Sequence, residues 1–179
     1  MEKFINAAMV DRDQADPTLY TVLTAKSKHS QISLTDFLAF TPKWNVTSNT
    51  FRPPYYHRNK TTEIMGVVYG AYGGSSKDLR AGGLSLQPSY MPHGETAQRF
   101  AEATGAELKP ERSGEGSLFF MFHVNAHCAV TRYALERSGA LQVHSRTPWE
   151  DMEGGLYKHI EQINKDLRKM GLDPLSTSQ

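Results

Sequence analysis

The sequence predicts a mainly β domain, an antiparallel sandwich or barrel, closed by a C-terminal helix. Three observations predict it. Short runs of β-branched and apolar residues recur up to Val130, separated by joints rich in Gly and Pro. No helical pattern lies between those runs, so the βα units of a parallel sheet are missing. Beyond Val130 the periodicity changes to the alternating three-and-four spacing of an amphipathic helix.

Asp16-Pro17 is a turn signal, and Thr18 to Ala25 (TLYTVLTA) reads as the first strand. Ile32 to Phe40 (ISLTDFLAF) is the second, stopped by Thr41-Pro42. Glu63 to Tyr72 (EIMGVVYGAY) and Ser117 to Val130 (SLFFMFHVNAHCAV) are the two best-formed candidates. Gly73-Gly74-Ser75-Ser76, Gly82-Gly83 and Gln87-Pro88 through Pro92 form the joints. Leu156, Ile160, Ile163, Leu167 and Met170 then lie on one helical stripe, with Gly171 as a C-terminal stop. Thr147-Pro148-Trp149-Glu150 resembles a capping box, while Gly154-Gly155 leaves open whether the helix starts near Leu156 or bends there. The expected organisation is an N-terminal arm over residues 1–16 and one domain over residues 17–179.

Composition excludes several classes. The chain of 179 residues suits one well-cored domain. Twenty Lys+Arg against 19 Asp+Glu give a net charge of +1, and so no electrostatic case for nucleic acid or an anionic membrane surface. No apolar stretch approaches the roughly 20 residues of a membrane span. The start, MEKFINAAMVDRDQADP, has no apolar signal-peptide core, and the single Cys128 has no internal disulfide partner. A cytosolic protein is expected.

Seven histidines are the candidates for chemistry. His29 sits in a polar turn, His159 lies off the helical stripe, and His144 has no evident companion. His123 and His127 are four apart on an apolar run, hence on one face of a strand; a core or interface role is the simpler reading, a metal pair the sharper one. His57 and Glu63 are six apart, an even spacing that points both to one side of an extended segment. Pro53-Pro54 stiffens the approach to His57, Gly66 lets backbone come close behind Glu63, and Pro92 and Gly94 fix the turn around His93. Two imidazoles and one carboxylate on one side of a metal leave the opposite positions for substrate and dioxygen, which suits non-haem Fe(II). An H-x5-E pair also arises by chance in a chain with this many acids and histidines.

The words around these residues are more specific than their spacing. Thr50-Phe51-Arg52-Pro53-Pro54-Tyr55-Tyr56-His57-Arg58-Asn59 resembles the signature of homogentisate 1,2-dioxygenases. The resemblance continues through Asp16-Pro17, Thr21-Val22-Leu23-Thr24, Pro42-Lys43-Trp44, Glu63-x-Met65-Gly66, Gly82-Gly83-x-Ser85-Leu86, Pro92-His93-Gly94, Pro110-Glu111-Arg112 and Phe120-Met121-Phe122. It is similar in order and spacing to that family's C-terminal half. The resemblance implies a cupin-like β fold and O2-dependent ring opening of homogentisate to maleylacetoacetate in tyrosine and phenylalanine breakdown. It puts the iron(II) ligands at His57, Glu63 and His93, and Tyr72 at the tyrosine that contacts the small aromatic acid substrate.

Three positions depart from the family pattern. Gln14 stands where the family has its proton-accepting histidine, and an amide takes up no proton near neutral pH. Positioned acid–base catalysis is worth about 10²–10⁴-fold, so reduced activity is expected unless Asp13 takes over. Gln87 replaces a pocket histidine, and Tyr69 an arginine. Family members are also longer, with a β-rich half preceding the equivalent of Met1. Apolar surface that such a half would cover should drive homo-oligomerisation or association with a partner. Two readings stand: a ring-cleaving dioxygenase, and a catalytically degenerate metal-binding module or subunit scaffold. A phosphate loop over Gly73 to Gly83 lacks the G-x-x-x-x-G-K-[ST] pattern, and a hairpin connection is expected there.

Overall fold

The computed structural model describes residues 3, 20–45, 56–72, 79–107, 109–143, 147–151 and 155–176. Within them lie β1 (Tyr20–Lys26), β2 (Ser33–Phe40), β3 (Lys43–Asn45), β4 (Thr62–Tyr69), β5 (Leu84–Gln87), β6 (Glu111–Ser113) and β7 (Leu118–Val124). Helices are α1 (Ala97–Gly105), α2 (Thr147–Glu150), α3 (Gly155–Lys158) and α4 (Ile160–Lys169), with a π-turn at Tyr133–Arg137. Five strands form one antiparallel sheet in the order β1-β2-β7-β4-β5, and β3 pairs with β6 in a separate ribbon. This is the mainly β, antiparallel architecture expected of a cupin-like fold.

Register decides what each face carries, because directly paired residues share a face and alternate along each strand. One face holds a polar row across all five strands: Thr24, Asp36, His123, Glu63 and Gln87 are consecutive partners. Two residues further along each strand the same face turns apolar, with Leu38, Met121 and Met65 in register. It ends in the core, where buried Val67, Leu79 and Phe119 pack with Phe40, Met65 and Tyr72. The opposite face carries an aromatic cluster, Phe37 to Phe122 at 5.0 Å and Phe120 to Phe122 at 5.7 Å between ring centroids. Its margins are open, with Leu23 68% and Leu84 65% exposed.

Gly66 has a different use from the one expected. A Cβ there would lie 2.3 Å from the Phe120 ring and 2.8 Å from Leu84. The glycine admits the cross-strand aromatic ring onto the sheet; the intruding group is a side chain, not backbone.

Several elements differ from the sequence expectation. The run expected as a strand to Val130 stops at Val124, where Asn125 donates to the Leu34 carbonyl and Ala126 accepts from the buried Thr62 hydroxyl. His127 therefore lies beyond the strand, and the expected His123–His127 pair on one strand face does not exist. The strand expected from Glu63 to Tyr72 ends at Tyr69. Helix α1 was not expected. Thr96 caps it by accepting from the Arg99 N–H at 3.3 Å, but Ala97, Phe100 and Ala101 give it only a short apolar face, and it buries no residue. β5 pairs antiparallel with β4, as a hairpin requires, while residues 73–78 of the expected connection lie outside the described residues. The C-terminal stripe is divided between α3, which opens at Gly155 beside the expected start at Leu156, and α4, with a break at His159; residues 152–154 lie outside the described residues. Gly171 ends α4 as expected: at φ +72° it lets its own N–H reach the Arg168 carbonyl and that of Leu172 reach Leu167 at 2.9 Å.

Candidate metal centre

Two segments distant in sequence are tied together through their backbones. The His57 N–H donates to the His93 carbonyl at 2.9 Å, and the His93 N–H returns the bond at 2.8 Å. Tyr90 N–H adds a third link to the Asn59 carbonyl at 2.7 Å. Tyr90 itself sits at φ +62°, a left-handed conformation that non-glycine residues rarely adopt and that tightens the Pro88–Pro92 turn. The imidazoles of His57 and His93 consequently lie with ring centroids 4.4 Å apart.

Glu63 comes from the sheet. It is the second residue of β4 and only 4% exposed. Its neighbour Thr62, facing the other way, anchors the strand start through its hydroxyl to Ser89 and to the Ala126 carbonyl. The Glu63 carboxylate has His93 Nε2 at 3.2 Å from Oε2, and His57 Nε2 at 3.9 Å and His123 Nε2 at 4.0 Å from Oε1. The Asn59 side-chain amide donates to Oε1.

These residues fit a cation. One donor atom each from His57, Glu63 and His93 lies within 4.8 Å of the others, and among the described residues this is the group with metal-binding geometry. His93 Nδ1 contacts the Met91 carbonyl at 2.9 Å, which assigns the proton to Nδ1 and leaves the Nε2 lone pair facing Glu63 Oε2 in the neutral ring. Two acceptors at 3.2 Å repel unless a positive charge lies between them. His93 Nε2 stands 3.2 Å from one carboxylate oxygen and His57 Nε2 3.9 Å from the other, so all three side chains face a common point. Imidazole and carboxylate donors suit first-row divalent ions.

The surroundings extend the site. Trp149 Nε1 donates to the Gly94 carbonyl at 3.2 Å, so the C-terminal segment holds the backbone beside His93. Tyr72 lies past the end of β4, with its ring edge-on to Phe119 at 5.7 Å and its hydroxyl donating to Glu95 at 3.5 Å. Burial, and then the Glu95 carboxylate, push the Tyr72 phenol up to about 12. Asp36 is held below the ordinary carboxylate value first by the Thr24 hydroxyl, then by the Ser33 hydroxyl, with a smaller contribution from His123.

The structure thus brings together His57, Glu63 and His93, and sets Gln87 beside Glu63 on β5. Tyr69 ends β4, 43% exposed. His29 is in an exposed turn and His159 precedes α4. Gln14, Asp13, Pro53-Pro54 and His144 lie outside the described residues. Asn59, the Met91 carbonyl and Trp149 were missed in the sequence. Asn59 follows His57 by two residues and was visible; the other two contacts depend on tertiary placement. His123 was read as a core or interface residue, with a metal pair to His127 as the sharper alternative, because its register against Glu63 is not written in its own strand.

A sequence model of the family described as homogentisate 1,2-dioxygenase C-terminal matches residues 2–155. The chain is 40% identical over 152 residues to homogentisate 1,2-dioxygenase of Mus musculus, covering 85% of this chain and 34% of that protein. It is 39% identical over 153 residues to the Homo sapiens protein of the same name, covering 86% of this chain and 34% of the other. It is 38% identical over 141 residues to that of Rhizobium rhizogenes, covering 79% and 31%. The chain spans about a third of the length of these relatives.

Proposed function

This chain belongs to the homogentisate 1,2-dioxygenase family, and on that premise we propose that it binds iron(II) through His57, Glu63 and His93 and opens the ring of homogentisate, or a close phenolic acid, with dioxygen. The observation that carries the reading is the convergence of two imidazoles and one buried carboxylate within 4.8 Å. When bound, iron(II) supplies the Lewis-acid and redox chemistry that brings ring and dioxygen to one centre.

The chain's own residues supply position and polarity. The paired backbone bonds between His57 and His93 hold two donors in place before any ligand arrives. The Met91 carbonyl keeps the His93 proton on Nδ1, freeing Nε2. Tyr72 carries a phenol that stays protonated well above neutral pH, suited to donating a hydrogen bond to the substrate carboxylate in place of Glu95. Gln14 stands at the family's proton acceptor position and can hydrogen-bond but not take a proton. In this reading residues 17–179 form the cupin-like domain, residues 1–16 an arm, and the reaction belongs to cytosolic tyrosine and phenylalanine breakdown. Exposed apolar side chains such as Leu23 and Leu84 favour self-association, which light scattering over a range of concentrations checks.

A second reading, a metal-binding module without turnover, is favoured by Gln87, whose amide lies in register beside Glu63 where the family pattern has a histidine. One experiment separates the two. The purified chain is loaded anaerobically with Fe(II), given homogentisate and then oxygen, with O2 uptake and product absorbance followed together. Turnover that rises in Gln14→His supports the dioxygenase. No turnover in either protein at stoichiometric iron leaves the binding module.

A further inference from the structure

His123 has no part in the three-residue metal cluster, yet the sheet sets it directly beside that cluster's only carboxylate. Its Cα partner on β4 is Glu63, and its partner on β2 is Asp36. Paired residues of this kind hold their Cβ atoms about 4.5–5.5 Å apart on one face. The imidazole therefore stands between two carboxylates, in a position fixed by strand pairing. Ser33 donates to Asp36 Oδ1 at 2.9 Å, which steadies the outer member of the row.

The two oxygens of Glu63 have different company. Oε2 faces His93 at 3.2 Å, whereas Oε1 receives the Asn59 amide and has His57 Nε2 at 3.9 Å and His123 Nε2 at 4.0 Å. His123 is not among the residues whose donor atoms mutually converge, so the geometry does not make it a fourth ligand. We propose that His123 is a positioning residue: with Asn59 it restrains Oε1 and so fixes the rotation of the Glu63 carboxylate between His57 and His93. This rests on the His57–Glu63–His93 site binding a metal. At 4.0 Å the contact is electrostatic or bridged by one water, and it closes to a hydrogen bond with a small ring movement. A Glu63 carboxylate freed from this restraint would turn relative to the two imidazoles and present its oxygens to an ion differently.

The test uses Co(II) alone as the probe on the full chain, because its visible spectrum reports coordination number independently of turnover. His123→Phe keeps a ring and removes its nitrogens; His123→Gln keeps an N–H donor. The expected result for the phenylalanine variant is Co(II) affinity about 10–100-fold weaker, the usual range for losing an outer partner of a ligand, with an altered spectrum. The glutamine variant should regain the parent spectrum and most of the affinity. Unchanged affinity and spectrum in His123→Phe would overturn the assignment. So would weaker binding with an unchanged spectrum, which would mark a merely structural role. Failure of His123→Gln to recover anything would make His123 a direct ligand and likewise overturn it. Should His123→Phe not fold, His123→Met is read in its place against the same outcomes. A parent chain that binds no Co(II), or binds it equally well as Glu63→Ala, would overturn the metal site and this role with it.

Discussion

The β4–β7 pair and the C-terminal helices both carry regular apolar patterns, but only the first buries its pattern fully. In β4 and β7, Val67, Leu118 and Phe119 are nearly inaccessible, because each strand has a partner on both sides and a packed face. In α3 and α4 the stripe is only half covered: Ile160, Ile163 and Leu167 are half-buried, Leu156 at one end is 51% and the capping Met170 at the other 71% exposed, and the buried residue of α4 is the polar Asn164. Its amide clasps Leu175, accepting from the backbone N–H at 2.7 Å and donating to the carbonyl at 3.1 Å. Periodicity declares which face wants burial. Whether burial happens depends on what the rest of the molecule offers that face.

Substitutions can break or sharpen this contrast. Leu118→Ala, at a side chain 1% exposed, should cost about 2–5 kcal/mol in urea unfolding, the range for a large-to-small change in a filled core. Gly66→Ala should cost about 1–3 kcal/mol by overpacking against the Phe120 ring, and Phe120→Leu in the same chain should recover part of it. Tyr72 should titrate late, near 12, seen as a phenolate absorbance change absent from Tyr72→Phe. Since its folded value lies above the ordinary 10.0, its contribution to stability is complete below about pH 10 and is lost as pH rises towards 12. Asn164→Ala should cost about 1 kcal/mol, since the freed Leu175 groups can turn to water. Met170→Ala should stay within about 0.5 kcal/mol. A loss from Met170→Ala comparable to that from Leu118→Ala would show that the open stripe has a partner in solution.

Legibility followed the same division. The strands β1, β2, β4 and β7 were visible because alternation and turn residues are local signals, with boundaries off by a few residues where a bend, not a change of composition, ends the strand. His57, Glu63 and His93 were legible because proline and glycine surround them and because their flanking words resemble a family signature. Helix α1 was not, since its apolar face is short, one phenylalanine among alanines, and spans barely two turns. His123 was read against His127, its neighbour in sequence, when its real companions, Asp36 and Glu63, arrive from two other strands. Cross-strand register is set by the assembled sheet and is not contained in any one segment.

The reciprocal backbone bonds between His57 and His93 also bear on how an ion would be lost and regained. Because main-chain groups join the two segments, extracting a cation removes an occupant without dismantling the cradle. Chelation and reloading should then be quick and reversible, with amide hydrogens at these two residues remaining protected from exchange throughout.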